Sequence, residues 1–140
     1  MWLWKPHIIL ESLKKNDNGD CLLYMDCGDF FKKELLEYAG TILEKEHCLL
    51  LGGAYKNSDY CNRDCYFYMN CDTPEYHGTI QLEAGIQIYR NTHKSVEVLE
   101  EQLEYCKDYR IISDSPNECG LPNHPGFIEH RRDQSILTNL

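Results

Sequence analysis

The sequence predicts an α/β domain, because short apolar runs of strand character alternate with amphipathic segments of helical character. The chain has 140 residues, of which 42% are hydrophobic and 26% charged, a composition typical of one globular domain with a hydrophobic core. No internal repeat or low-complexity tract divides it. Alternating strands and helices favour a mixed, mostly parallel sheet with flanking helices.

Four elements are predicted in the first half of the chain. They are a helix that begins near Pro6 and ends at Asn16, a strand at Cys21–Met25, a helix at Phe31–Lys45 and a strand at Cys48–Leu51. Pro6 suits the first turn of a helix, where its missing N–H is not needed. Both strands are apolar runs bounded by turn residues, which is typical of buried strands, and the glycine pair Gly52-Gly53 is expected to end the second.

The second half is predicted to contain one strand and two clear helices. The ranges are a short helix or irregular segment at Asp59–Met69, a strand at Thr79–Tyr89 interrupted by Glu83-Ala84-Gly85, a helix at Ser95–Cys106, a loop at Asp114–Pro125 and a final helix from about Arg132 to the end. A serine followed by acidic residues at the start of the Ser95 helix is a capping pattern. The chain is therefore predicted to be one continuous domain.

Charge and composition exclude several classes of protein. The net charge of −9 argues against a nucleic-acid-binding surface, which requires a basic patch. No run approaches the roughly 18 apolar residues of a membrane span. The first residues lack a basic leader with a long apolar region and a cleavage site, and the eight cysteines show no paired spacing. We therefore expect a cytoplasmic protein with free thiols.

One cysteine group is a candidate zinc site. Cys61, Cys65, Cys71 and His77 supply the ligand types of a tetrahedral site. Their spacing differs from the usual two-residue knuckle, and aromatic residues fill the gaps. Buried thiols that behave as small hydrophobic side chains are the favoured interpretation, and a small zinc-binding module is the alternative.

Two segments place polar side chains at or within predicted strands. Asp26 follows a buried strand directly, where it could bind Mg²⁺ or Mn²⁺, and Gly28 would allow close approach of a ligand. A turn or a helix cap is an equally good explanation for Asp26. Gln81 and Glu83 lie inside an apolar strand, which indicates either a ligand site beside Ala84-Gly85 or the polar face of a surface strand.

A third segment, HRRDQS, combines titratable groups at the start of the last helix. His130 and Asp133 are three residues apart and would share a face of a helix, and His130 could complete a metal site begun by carboxylates. Arg131 or Arg132 could neutralise phosphate, and Gln134 could bind a hydroxyl-rich ligand. The alternative is a helix start with its charges in water.

Taken together, these segments resemble the GT-A type of glycosyltransferases. The resemblance lies in WLWKPHIIL followed by GDCLLYMDCGD, then NRDCYFYMNCD, QLEAGIQIYRN and DSPNECGLPNHPGFIEHRRDQSIL, in the same order as in bacterial and viral sugar transferases. It covers nearly the whole chain. It implies a partial Rossmann-like GT-A fold, a nucleotide-sugar donor, a glycan or polysaccharide acceptor, and Mn²⁺ or Mg²⁺ as cofactor.

The resemblance also implies roles for individual residues. The implied metal ligands are Asp26 and His130, the implied catalytic groups are Asp133 and Glu83, and the implied donor- or acceptor-binding residues are Lys5, Gly28, Gln81, Ala84, Gly85, Arg131 and Gln134. An inverting reaction would use Asp133 or Glu83 as the base. The family pattern has strands before its WKP segment and continues after DQSIL, so we expect a chain truncated at both ends. The missing N-terminal half is then either supplied by a second chain or absent. An inert family fragment or an interaction subunit is the alternative function.

Overall fold

The computed structural model describes residues 2–30 and 32–140. These residues form a mixed α/β structure in which helices cover a small sheet. In chain order the helices are α1 (Trp4–Leu13), α2 (Lys33–Leu43), α3 (Asn57–Tyr60), α4 (Arg63–Tyr68), α5 (Pro74–His77), α6 (His93–Lys107), α7 (Tyr109–Ile112) and α8 (Arg132–Asn139). The strands are β1 (Cys21–Met25), β2 (Cys48–Lys56) and β3 (Ile80–Arg90).

The sheet is antiparallel, so the predicted parallel pairing is wrong. The strand order is β1-β3-β2, and β3 pairs antiparallel with both neighbours. β1 and β2 consequently run in the same direction, joined by α2, which is the local pattern that predicted a parallel sheet. The pairing differs because β3, much later in the chain, lies between them. No parallel, Rossmann-like sheet is formed by the described residues.

Helices pack on both faces of the sheet. Tyr89 of β3 packs with Leu13 of α1 and Leu99 of α6 in one cluster. Its neighbour Ile88 packs with Ala39 of α2 in another. Successive residues of a strand face opposite sides, so α2 covers the face opposite to α1 and α6. A third cluster, rich in cysteine, lies among α4, α7 and α8.

The predicted element boundaries agree closely with the structure at β1 and less closely elsewhere. β2 continues through Gly52-Gly53, where its register with β3 is irregular, and β3 runs unbroken through its Ala84-Gly85 step. The start predicted for α2, Phe31, is outside the described residues. Helix α6 is capped by Thr92, whose hydroxyl accepts from the Ser95 amide, rather than by Ser95 itself. The loop predicted at Asp114–Pro125 has no helix or strand.

None of the helices in ranges 2–30 and 32–140 combines the length and the apolar character needed to cross a bilayer.

Candidate functional site

Most of the predicted site residues line one pocket. Its volume is about 220 Å³, and its walls come from α1, the end of β1, the middle of β3 and the start of α8. The lining residues are Trp2, Lys5, Asp26, Ala84, Arg131, Arg132, Asp133 and Gln134. We call this the Asp26 pocket. Segments that are far apart in sequence therefore meet at one place, although the sheet that carries them is not the predicted one.

Lys5 is the centre of the charge arrangement. The side chain is buried, and Nζ lies 3.4 Å from Asp26 Oδ1, 3.7 Å from Asp133 Oδ2 and 3.4 Å from the Ala84 carbonyl oxygen, to which it donates a hydrogen bond. The ammonium group thus joins α1 to β1, β3 and α8. A buried ammonium group requires such partners, because removing an unpaired charge from water is energetically costly.

Two carboxylates converge over Gly85. A methyl group on Gly85 would lie 3.1 Å from Asp29 Oδ2 and 3.3 Å from Asp26 Oδ2. The Gly85 carbonyl also accepts a hydrogen bond from the Asp26 amide, which fixes the loop after β1. Oxygen atoms of two carboxylates beside an open backbone are the donor set that Mg²⁺ and Mn²⁺ prefer. Asp26 and Asp29 therefore fit the divalent ion that the family resemblance implies.

Tyr24 orients the Asp26 carboxylate. Its hydroxyl donates a hydrogen bond of 2.6 Å to Asp26 Oδ1, while Oδ2 lies on the Gly85 side and accepts a hydrogen bond from Lys5 Nζ at 3.4 Å. Burial and then this hydrogen bond to a carboxylate raise the pKa of Tyr24. The phenol consequently remains a donor at neutral pH.

Asp133 differs from Asp26 in its exposure to solvent. The Asp133 side chain is 6% exposed and that of Asp26 is 46% exposed. Asp133 Oδ2 is buried and has no hydrogen-bond partner among the described residues, since its contact with Lys5 is longer than a hydrogen bond. Burial raises the pKa of Asp133, against the opposing effect of the Lys5 charge. This carboxyl group is thus less stable when ionised than an ordinary aspartate.

The two arginines are held by aromatic rings. The Arg131 guanidinium carbon lies 4.6 Å from the ring centre of Tyr55 and 4.1 Å from that of Tyr60. Arg132 lies 5.2 Å from the Trp2 ring and pairs with Asp114. Stacking of this kind orients a guanidinium group before any ligand arrives. With Lys5, the pocket has three cationic side chains although the whole chain is acidic.

The other predicted binding residues have different surroundings. Gln81 is buried and donates to the Tyr60 carbonyl and to Ser135 Oγ, while its own oxygen accepts from Gln134. Gln81 therefore does not line the pocket itself but orients Gln134, which does. Gly28 lies in the turn after β1, with open space around it, and does not line the pocket.

Glu83, the second predicted base, lies away from the pocket lining. Its Oε1 is 2.5 Å from the position that a methyl group on Gly53 would occupy, so the side chain extends across the sheet toward β2. Only Asp133 of the two predicted bases reaches the Asp26 pocket.

The assignment of His130 as a metal ligand needs correction. The imidazole is buried, its Nδ1 accepts from the Asn62 amide at 3.2 Å, and its Nε2 donates to the Ile111 carbonyl at 2.9 Å. Both ring nitrogens are therefore bonded to backbone, and neither is free to bind a metal. His130 joins the start of α4 to the end of α7, which is a structural role that the sequence alone could not separate from ligation.

The thiols of the candidate zinc site lie in the hydrophobic core. Cys61, Cys65 and Cys71 are buried in the cluster between α4, α7 and α8, and Asn139 Nδ2 lies 3.5 Å from both Cys61 Sγ and Cys65 Sγ. His77 instead bonds Asp72, with 2.9 Å between its Nε2 and Asp72 Oδ1. In the part of the chain that the structure describes, the one group of three or more His, Cys, Asp or Glu residues whose ligand atoms lie close enough to share a metal ion is Asp72, His77 and His124.

Sequence reasoning missed Tyr24 and Trp2 as parts of the Asp26 pocket and its surroundings, and it left open whether Asp29 contributes. Tyr24 could have been found, because residues two apart on a strand share a face and Tyr24 precedes Asp26 by two. The contact of Asp29 with Gly85 and that of Trp2 with Arg132 depend on tertiary packing. The position of Asp29, three residues after Asp26, indicates a nearby carboxylate, but no local signal predicts either contact.

Comparisons with family models, with curated proteins and with solved structures find no match to this chain.

Proposed function

We propose that this chain is a glycosyltransferase domain that binds the diphosphate of a nucleotide-sugar donor in the Asp26 pocket and transfers the sugar to a glycan hydroxyl group. The observation that carries the proposal is the assembly of Lys5, Asp26, Arg131 and Asp133 in one pocket from separate segments. The resemblance of those same segments to GT-A enzymes supports the reaction class. The β1-α2-β2 unit, whose strands run in the same direction, is compatible with a partial GT-A fold.

The pocket has groups suited to each part of a diphosphate ester. Arg131 and Arg132 offer donors in fixed orientations, which suit phosphate oxygens. Asp26 and Asp29 would hold Mn²⁺ or Mg²⁺, which supplies charge neutralisation for the leaving diphosphate. Lys5 holds the Asp26 and Asp133 carboxylates near each other.

Asp133 is the better of the two predicted bases. It lines the pocket, its Oδ2 has no hydrogen-bond partner, and its pKa is raised by burial, which is the direction that suits a proton acceptor at neutral pH. In this proposal the Asp133 carboxylate receives the proton of the acceptor hydroxyl group.

Thermal melting with Mn²⁺ and a panel of nucleoside diphosphates tests the proposal. We expect a rise in Tm only when the metal and one nucleotide are present together, because ligands that bind the folded state stabilise it by about 2.7 kcal/mol at a hundredfold excess over Kd. A cooperative melt that is indifferent to every combination would contradict the proposal and favour an inert fragment or interaction subunit.

Two glycine variants locate the metal. Gly85→Ala places a methyl group against both carboxylates, whose side chains can shift, so the fold should persist and the metal-dependent rise in Tm should be lost. Gly28→Ala, in the loop that carries Asp26, is the control, because a methyl group there meets open space. Asp26→Asn should behave like Gly85→Ala. Equal responses of all three variants and the unmodified chain would contradict the assignment of the metal to this site.

A further inference from the structure

A second cluster of potential ligands lies outside the Asp26 pocket. Asp72 Oδ1 is 2.9 Å from His77 Nε2 and 3.5 Å from His124 Nε2, and one ligand atom from each of the three residues lies within 4.8 Å of the others. The two imidazole centres are 3.9 Å apart. Asp72 precedes α5, His77 ends it, and His124 belongs to the long loop before α8. Three segments thus direct their ligand atoms to one point.

The surrounding structure fixes these side chains. Arg63 Nε donates to Asp72 Oδ2 at 2.7 Å, which leaves Oδ1 for the histidines. The Tyr66 ring packs edge-on against both imidazoles, with centre distances of 4.8 Å and 5.7 Å. Outer partners that orient ligands in this way are a regular feature of metal sites.

The loop that carries His124 is also anchored. The buried Asp64 carboxylate accepts hydrogen bonds from the Glu118 and Cys119 amides, at 2.7 Å and 2.9 Å. Asn123, beside His124, accepts a 2.8 Å hydrogen bond from the Arg63 amide. The loop is therefore bound to the start of α4 at both of these points, and His124 has a defined position.

His124 has an unsatisfied nitrogen. Its Nε2 is buried, and its contact with Asp72 lacks the geometry of a hydrogen bond, so the atom has no partner among residues 2–30 and 32–140. A buried polar atom without a partner is destabilising.

The cluster borders a second cavity. This cavity has a volume of about 390 Å³, and both histidines belong to its wall together with Lys56, Ser58 and Gly78. A metal held by three protein ligands at this wall would have a coordination position directed to the cavity. Two histidines, a carboxylate and an open position are the arrangement of zinc sites that bind water or a small ligand.

We propose that Asp72, His77 and His124 form a binding site for a divalent transition-metal ion, Zn²⁺ in the first instance, with an open coordination position facing this cavity. Imidazole ligands favour Zn²⁺ over Mg²⁺ and Mn²⁺, which prefer oxygen. The site is therefore chemically distinct from the proposed Asp26 metal site. It also differs from the cysteine site considered from the sequence, since it shares only His77 with that set.

Calorimetric titration of the chelator-treated chain with Zn²⁺ tests the proposal. We expect one Zn²⁺ per chain, and His124→Gln and His77→Gln should each weaken binding by at least about tenfold. His93→Gln is the matched control, because His93 also pairs with a carboxylate, Glu97, but on an exposed helix surface without a third ligand. Metal-free melts of every variant verify that the fold is retained.

Co²⁺ provides a second readout that identifies the ligand type. Thiolate ligands produce intense charge-transfer absorption that imidazole and carboxylate ligands do not, so we expect a spectrum without it. Thiolate absorption, absence of stoichiometric Zn²⁺ uptake, or equal affinity in His124→Gln and the unmodified chain would each overturn the proposal. Asp26→Asn should leave Zn²⁺ affinity unchanged. The test of the Zn²⁺ site can therefore be distinguished from the test of the proposed function.

Discussion

Asp133 shows at the scale of single residues how a functional group can oppose stability. Its carboxyl group is buried beside Lys5, and its Oδ2 has no hydrogen-bond partner. Burial raises its pKa above the ordinary value of 3.8. The sequence predicted that Asp133 belongs to a site, because it lies in a dense charge run. Its burial and missing partner follow from the packing of α8 on β3, which no local pattern reveals.

The stability of the variant Asp133→Asn, relative to that of the unmodified chain, should rise with pH. The pKa of Asp133 is raised in the folded state. The contribution of this group to the free energy of unfolding is therefore complete below its unfolded-state pKa, where it is protonated, and is lost as pH rises through its folded-state pKa. The amide does not titrate, so the stability difference should grow from about pH 4 to about pH 7. Urea unfolding across this range measures it. A difference that is constant with pH would contradict the assigned cause.

At the scale of elements, the end of α4 determines where Asp72 lies. Asn70 has a φ of 55°, in the left-handed region, and follows the last residues of the helix. The Cys71 amide donates to the Tyr66 carbonyl at 2.9 Å, and the Asn70 amide donates to the Phe67 carbonyl at 3.1 Å. This is the Schellman pattern of helix termination. It turns the chain so that Asp72 meets Arg63 and His77.

Substitution of Asn70 should show this backbone requirement. Asn70→Ala should lower the free energy of unfolding by about 1 kcal/mol, because the left-handed conformation is unfavourable for a residue with an ordinary Cβ. Asn70→Gly should match or exceed the unmodified chain, since glycine adopts this conformation without steric penalty. Urea unfolding of the three proteins compares them. A ranking with alanine at or above glycine would contradict this account.

At the scale of the whole molecule, Lys5 connects the first helix to the last. Its ammonium group lies between Asp26 after β1 and Asp133 on α8, and it also bonds the Ala84 carbonyl on β3. A charge that is buried in this way stabilises the fold only while its partners are present. Folding and formation of the Asp26 pocket are therefore coupled.

Lys5→Met should destabilise the chain by on the order of 3 kcal/mol, because it leaves the buried Asp133 carboxylate unpaired while it preserves the apolar stem. The exposed Asp26 should contribute little, since solvent screens it. The double variant Lys5→Met/Asp133→Asn should recover much of the loss. Urea unfolding of both single variants and the double variant gives the coupling energy. Additive effects, without recovery, would contradict a direct interaction.

The sequence by itself determined the α/β class, the exact range of β1, the approximate positions of α1, α2 and α6, and the loop before α8, because each depends on local periodicity, turn residues and capping. It also predicted most residues of the Asp26 pocket. Only the tertiary structure decided that β3 lies between β1 and β2, that His130 is bonded at both nitrogens, and that His77 meets Asp72 and His124 rather than the cysteines. Those outcomes depend on contacts between residues that are distant in sequence, because the burial and the hydrogen-bond partners of each side chain are set by the complete fold.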